Sequence, residues 1–434
     1  MKTKKERVKF ITLGCFKNTV DSEKLIKQLE ANDIQVDTSD AKKAFDTLII
    51  NTCGFIGDAK KQSIDTILKG VEAKRRGRFK KLLVIGCLSQ RYKEDLEKEI
   101  PEVDAFYGTE QYKEVLTFLN HSYRDDLIGD RVLTTPKHYA YLKISEGCNK
   151  TCSYCVIPII RGKHKSRSIE SLVDEAKSLA NQGVKELILI AQDLTYYGYD
   201  LYFQYKLPEL LRELCKIEGI EWLRLHYVYP ANLTDELLEL ISTEPKICKY
   251  LDIPFQHISD KMLTLMRRGH KKADIYAMIQ RLRERVPELA LRTTFVAGHP
   301  GEKDEDFEEV VQFIQDVKFE RLGVFTYSNE EDSYAYENYK DDVPPRIKKQ
   351  RADLLMEKQQ DISLKLNEEK IGKIFKVLID RVEGDSFVGR SQYDSPEVDN
   401  EVWIENPNPN IKVGTFYNVM INSATEFDVT GEII

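Results

Sequence analysis

From residue 8 to residue 327 the chain keeps returning to one pattern, a short apolar, β-branched run followed by a segment with helical spacing. The runs cover residues 8–13, 47–50 and 81–85, and then 140–145, 186–192, 222–227, 250–253, 290–296 and 321–327. Helices are expected between them, as over 20–29. Another is expected after Ser168, a capping residue, with Ile169, Leu172, Val173, Ala176 and Leu179 on one face and Gly183 as its stop. Strands that alternate with helices pair in parallel, and the helices pack on the sheet faces. The first three runs therefore predict an open, Rossmann-like parallel sheet. The next six predict a partial (β/α)6 barrel, two units short of the closed eight-stranded form. In both architectures ligands bind at the carboxyl ends of the strands, so the residues just after each run carry the functional expectation.

Six of the eight cysteines fall at such ends. Cys15 follows Gly14, Cys53 follows Asn51-Thr52, and Cys87 follows Gly86. Neighbouring strands would bring these three together although about 35 residues separate each from the next. The other three share one loop, Gly147-Cys148-Asn-Lys-Thr-Cys152-Ser-Tyr154-Cys155. Three thiolates at that spacing can hold one face of a cubic iron–sulfur cluster and leave its fourth iron open to a small molecule. Zinc is the alternative there. It takes four protein ligands in structural sites, and His138 and His164 are the nearest candidates for the fourth. For the N-terminal three, the alternatives are a second cluster with one free iron or three unrelated buried thiols. Cys215 and Cys248 are expected as small buried apolar residues.

Other polar groups at the strand ends are Glu146, Gln192, Asp193, His226, Gln256 and His257. Gly298-His-Pro300-Gly-Glu302 precedes a helix and offers backbone amides to an anionic ligand. The basic run from Arg267 to Lys272 is expected as a solvated surface patch. With 434 residues, 41% hydrophobic and 32% charged, the chain has material for two or three domains. No apolar run approaches a membrane span, no signal-peptide core follows the basic start, and the cysteines are too few for a disulfide scaffold. A soluble cytoplasmic protein is expected. The net charge of −7 gives no support to general nucleic-acid binding.

The loop from Gly147 to Cys155 resembles the cluster loop of radical S-adenosylmethionine (SAM) enzymes. The resemblance implies a [4Fe–4S] cluster on Cys148, Cys152 and Cys155 that binds SAM and cleaves it to a 5′-deoxyadenosyl radical. It also implies SAM contacts from Tyr154, Gln192, Gly298 and Pro300. Cys15-Phe-Lys-Asn18 and Asn51-Thr-Cys53-Gly-Phe55 resemble the N-terminal domain of the methylthiotransferase family. That likeness implies an auxiliary [4Fe–4S] cluster on Cys15, Cys53 and Cys87, carrying sulfide or a short polysulfide. The six cysteines are then catalytic through their clusters.

After Pro344-Pro345, residues 346–370 are polar and helix-prone. From residue 375 short alternating strands, with turns at 383–385 and 406–410, predict a small OB-like β-barrel, and this part resembles a TRAM domain. The expected divisions are 1–130, 136–335, 336–370 and 371–434. Within the last, five Lys and Arg stand against eleven Asp and Glu. That is the wrong balance for RNA phosphates and a suitable one for a basic protein partner.

Methylthiotransferases divide by substrate, one branch acting on a modified adenosine in tRNA and the other on an aspartate of ribosomal protein S-twelve. Ile144-Ser-Glu-Gly-Cys148, Ile157-Pro-Ile-Ile-Arg161-Gly162, Ile253-Pro-Phe-Gln-His257 and the run from Gly389 to Asp399 resemble the second branch. Ser395 stands where that branch commonly has alanine. The resemblance covers essentially the whole chain. It implies methylthiolation of the aspartate β-carbon, with SAM as both methyl donor and radical source. The implied partners are S-twelve, free or in the small ribosomal subunit, and an electron donor such as flavodoxin or ferredoxin. The same chemistry on tRNA adenosine is the alternative. A non-catalytic iron–sulfur sensor that binds RNA is a third reading, and the six-strand pattern weighs against it.

Overall fold

The computed structural model describes residues 5–39, 43–127, 129–405 and 410–434. Its first sheet has five parallel strands, β1 (Arg7–Thr12), β2 (Gln35–Asp37), β3 (Thr47–Thr52), β4 (Lys81–Gly86) and β5 (Ala105–Tyr107), in the order β2-β1-β3-β4-β5. Three of these are the expected strands. β2 and β5 are three-residue edge strands, too short for a period of two to register in sequence. Helices α1 (Phe16–Glu30), α2 (Gly57–Arg75) and α3 (Cys87–Glu99) follow β1, β3 and β4. They bury Val8, Phe10, Leu25 and Ile49 on one side of the sheet and Ile50, Ile67, Leu82 and Val84 on the other. α1 begins earlier than the expected 20–29, because the Cys15 carbonyl already accepts from the N–H groups of Asn18 and Thr19. The polar residues of that first turn mask its helical spacing.

The next strands are β6 (Tyr139–Lys143), the two-residue pair β7 (Ser145–Glu146) and β8 (Lys165–Ser166), β9 (Glu186–Ile190), β10 (Trp222–Leu225), β11 (Ile247–Asp252), β12 (Ala290–Ala297) and β13 (Arg321–Thr326). Six of them form one parallel sheet in the order β13-β12-β11-β10-β9-β6, as the sequence pattern predicts. β7 and β8 pair antiparallel and bracket the cysteine loop. The two faces of the six-stranded sheet differ sharply. Leu187, Leu189, Leu223, Leu251 and Leu291 point outward beneath the helices, in the main apolar core. The alternate positions Glu186, Arg224, Tyr250, Asp252 and Arg292 point to the inner side.

After the helix Pro345–Glu368, strands β14 (Ile374–Glu383), β15 (Ser386–Ser391), β16 (Val402–Ile404), β17 (Phe416–Ala424) and β18 (Val429–Ile433) close a small barrel in the order β14-β15-β16-β18-β17. The expected turn at 383–385 joins β14 to β15. The one at 406–410, apart from Asn410, lies outside the described residues.

The end of β15 and the segment 392–399 after it fill the inner side of the six-stranded sheet, from the starts of β9 and β13 up to His226 just past β10. Arg390 pairs with Glu186 at 2.6 Å and with Asp380 at 2.7 Å. Arg224 donates to the Gln392 carbonyl at 2.7 Å, and the Tyr250 hydroxyl donates to Asp399 at 2.7 Å. Arg321 Nε donates to Asp394 at 2.9 Å, Tyr139 donates to Glu397 at 2.9 Å, and Arg292 reaches Asp399 at 3.3 Å. Of the acidic residues expected to face a basic partner, Glu397 stays exposed, while Asp394 and Asp399 are turned inward. They neutralise arginines of a half-barrel whose inner face would otherwise expose buried charge. Among the described residues no helix is long and apolar enough to cross a membrane.

Candidate active site

Cys15, Cys53 and Cys87 lie just past β1, β3 and β4, three adjacent strands of one sheet. Two glycines let the loops close on one another. Gly14 has φ +92°, and a Cβ there would lie 2.8 Å from Cys53 Cβ; a Cβ on Gly54 would lie 2.7 Å from Leu88 Cα, beside Cys87. Cys15 caps α1 and Cys87 opens α3, so two of the three sulfurs sit at helix N-termini. Asn18 ties the loops together by donating to the carbonyls of Leu13 at 2.8 Å and Thr52 at 3.0 Å.

The second triad comes from the loop after β7. Its sulfurs receive local backbone donors, Lys150 N–H to Cys148 Sγ at 3.4 Å and Ile157 N–H to Cys155 Sγ at 3.5 Å. Arg268 Nη1 donates to Cys152 Sγ at 3.3 Å and lies 3.4 Å from the Tyr154 hydroxyl. All six sulfur-bearing side chains line one cavity of about 410 Å³ at the carboxyl ends of the six strands. Tyr154, Gln192, Asp193 and Gln256 line it as well, and Phe55, Val228 and Phe325 supply apolar wall.

A buried ionic network joins the two triads. Arg161, on the short helix Ile157–Arg161 that follows Cys155, donates to Asp21 at 2.7 Å, Glu146 at 3.1 Å, Asn18 at 2.6 Å and Cys87 Sγ at 3.1 Å. Lys143 bonds both Asp21 and Glu146, and Gln192 donates to Glu146 at 2.6 Å. Burial by itself would raise the Asp21 carboxyl, but the charges of Lys143 and Arg161 hold it well below the ordinary carboxylate range. Lys17 lies 3.4 Å from the Tyr227 ring centroid, on the cavity wall.

The donor set fits an iron–sulfur cluster at each triad. Burial pushes the Cys87 and Cys155 thiols up to about 12 and raises Cys53 and Cys148 as well. Left alone, such thiols stay protonated at neutral pH; bound iron converts them to thiolates, and N–H donors already point at the sulfurs. Zinc fits poorly, because neither His138 nor His164 lines the cavity that the cysteines line, so no histidine there offers a fourth ligand. Among the described residues, no three Cys, His, Asp or Glu side chains group closely enough to hold a single metal ion.

Gly298 and Pro300 do not line the cavity. The Gly298 N–H donates to Glu302 at 2.9 Å, and the Lys348 side chain lies against its α-carbon. The Pro300 carbonyl is bonded by His299 Nδ1 at 3.0 Å. His257 Nδ1 accepts from the Ile258 and Ser259 amides at 2.9 and 3.0 Å, while its buried Nε2 has no hydrogen-bond partner among the described residues and lies 3.5 Å from Glu302; His226 bonds Ser395 at 2.8 Å, and neither histidine lines the cavity. The expectation for the 267–272 run fails at Arg268, which is 4% exposed and faces the cavity. Composition marks that run as basic. Only the turn around Arg267, with φ +56°, directs one of its arginines inward.

Residues 7–108 match the Uncharacterized protein family UPF0004, residues 142–314 the Radical SAM superfamily and residues 371–434 the TRAM domain. Over 431 residues the chain is 51% identical to the ribosomal protein uS12 methylthiotransferase RimO of Parabacteroides distasonis, covering 99% of this chain and 100% of that one. It is 52% identical over 429 residues to the RimO protein of Christiangramia forsetii, covering 99% and 94%. The chain belongs to the RimO methylthiotransferase family. Members of this family are radical-SAM enzymes, so a [4Fe–4S] cluster and SAM belong to its chemistry. Among solved structures, the radical S-adenosylmethionine methyltransferase TsrM from Kitasatospora setae aligns with a TM-score of 0.55 at 14% identity, over 74% of this chain and 72% of that one. The cobalamin-dependent S-adenosylmethionine radical enzyme OxsB aligns at 0.53 and 10%, over 82% and 56%. At such identities the likeness concerns the fold.

Proposed function

We propose that this protein transfers a methylthio group to the β-carbon of an aspartate in ribosomal protein S-twelve, with one iron–sulfur cluster at each cysteine triad. One observation carries the reading, namely that both triads line a single cavity. A [4Fe–4S] cluster on Cys148, Cys152 and Cys155 would supply reductive cleavage of SAM, and one on Cys15, Cys53 and Cys87, bearing sulfide or a short polysulfide, would supply the sulfur. The chain's part is orientation and exclusion. Phe55, Ile157, Ile160 and Val228 give the cavity an apolar part of its wall, which would help keep water from a radical. Tyr154 and Gln192 present polar groups at the wall for SAM. A flavodoxin or ferredoxin is the fitting class of reductant.

The choice of protein over tRNA has a second physical support. In 371–434, Arg390 and Arg381 are spent on internal ion pairs, and Lys376 pairs with Glu221 at 2.7 Å. That leaves the small barrel poor in cations for phosphate. The test is to incubate anaerobically reconstituted enzyme, SAM and reductant with S-twelve or with tRNA, and to measure the mass gain of one methylthio group. Modification of the S-twelve aspartate is expected, and product on tRNA adenosine alone overturns the substrate. Iron analysis should give about eight irons per chain, two cubic clusters; four or fewer after full reconstitution overturns the second cluster.

A further inference from the structure

Each triad is served by one buried arginine, and the two arginines are not interchangeable. Arg161 donates to Cys87 Sγ at 3.1 Å and Arg268 to Cys152 Sγ at 3.3 Å. They are 8% and 4% exposed. Both are held rigidly by other partners. Arg161 is fixed by Asn18, Asp21 and Glu146. Arg268 Nη2 donates to the Pro254 carbonyl at 2.7 Å, and its guanidinium lies 4.8 Å from the Tyr229 ring centroid. Arg268 Nε has no hydrogen-bond partner among the described residues, so a donor is left over beside the cavity.

The connectivity is crossed. Arg161 lies in the helix that begins two residues after Cys155, yet the sulfur it reaches belongs to the N-terminal triad. Cys87, Val156, Ile160 and Phe55 pack together beneath that contact. The peptide that carries one set of ligands thus supplies the cationic donor for the other set.

We propose that Arg161 and Arg268 are positioning residues that each hydrogen-bond one cluster thiolate and set the reduction potentials of the two clusters separately. The proposal rests on the two-cluster reading above. A charged N–H donor withdraws electron density from the thiolate and favours the state that carries the extra electron. Removing it makes that cluster harder to reduce and moves its potential to a more negative value. The two sites have different requirements, since one must deliver an electron to SAM and the other must hold sulfur without consuming that electron. Separate donors allow them to be poised apart.

The test uses full-length, anaerobically reconstituted protein in two backgrounds, one with Cys15, Cys53 and Cys87 changed to Ala and one with Cys148, Cys152 and Cys155 changed to Ala. Iron content and the paramagnetic signal of the reduced cluster are measured first; a background that binds no cluster contradicts the two-cluster reading itself. Redox titration of that signal follows. Arg161→Gln should shift the potential negative where only the N-terminal triad remains and leave it unchanged where only the loop triad remains. Arg268→Gln should do the reverse. Arg161→Lys and Arg268→Lys, which keep the charge, should retain iron and shift less. Full iron loading with unchanged potentials overturns the proposal, and so does an equal shift in both backgrounds. Loss of iron from the Gln and Lys variants alike also overturns it, since the arginines would then serve assembly alone.

Discussion

The two ends of the six-stranded sheet are built from opposite chemistry. At the carboxyl ends of the strands, six cysteines surround an open cavity with apolar walls. At the strand starts, the segment 390–399 closes the sheet with ion pairs such as Arg390–Glu186 and Arg321–Asp394. The first end leaves space lined by six thiols. The second pairs the arginines it buries and keeps a smaller cavity, about 190 Å³, beside Arg292, Arg321 and Asp399. Substitutions at the two ends should therefore fail in different ways.

The largest effect is expected at the open end. Changing Cys148, Cys152 and Cys155 together to Ala should abolish formation of 5′-deoxyadenosine, measured chromatographically after reduction in the presence of SAM. Turnover that persists would remove this triad from SAM cleavage. The matching change at Cys15, Cys53 and Cys87 should leave SAM cleavage in place and eliminate methylthiolated product. Unimpaired product would take the N-terminal triad out of the mechanism. In both variants the barrel should stay folded, since its main apolar core lies beneath the helices rather than at the rim.

At the closed end the expected loss is stability. Asp394→Ala leaves the buried Arg321 guanidinium without its carboxylate, a cost of about 3–5 kcal/mol. Denaturant unfolding should register that loss, while SAM cleavage per folded molecule stays near wild type. A fall in turnover without a fall in stability would break the contrast between the ends. The pH dependence sharpens it. Burial opposes the ionised Asp394, but the Arg321 charge holds its carboxyl below the ordinary value of 3.8. The stabilisation is therefore fully present above about pH 4 and is lost as pH falls through the lower folded value. The gap between wild type and Asp394→Ala should be constant at neutral pH and should narrow below about pH 4.

The convergence of the six cysteines at the open end was legible in the sequence and the closed end was not, for a physical reason. Cysteines after strand runs report their own position, because parallel pairing forces strand ends together. Charges report only their sign. The acidity of Asp394 and Asp399 is the same in sequence whether it faces solvent or arginines. Those partners, Arg321 and Arg292, lie far away along the chain. Arg268 escaped notice likewise, as one basic residue among several, with its direction decided by a turn. Gly14 lies between these cases. Its place before Cys15 is visible, but the contact with Cys53 that forbids a side chain is tertiary. Gly14→Ala should cost about 1–2 kcal/mol for the backbone conformation alone and should lower iron uptake at the N-terminal triad.

The smallest effect tests how tightly the segment 392–399 is fitted where it reaches furthest from the strand starts, at His226 just past β10. Ser395 Oγ lies 2.8 Å from His226 Nε2, and both side chains are buried. Burial, followed by the nearby Arg292 and Arg224 charges, holds the His226 pKa well below its ordinary value, so the ring is neutral at physiological pH. Ser395→Ala removes one neutral hydrogen bond and leaves one ring nitrogen without a partner, a loss of about 1 kcal/mol. Asp399 still holds the Ser395 backbone N–H at 2.9 Å, so the segment keeps its path. The variant should unfold at slightly lower denaturant concentration and methylthiolate at an unchanged rate. A loss as large as that of Asp394→Ala would mean that the segment is held by its hydrogen bonds as a cooperative network rather than by its ion pairs. The contrast between the ends would then rest on packing precision instead of charge.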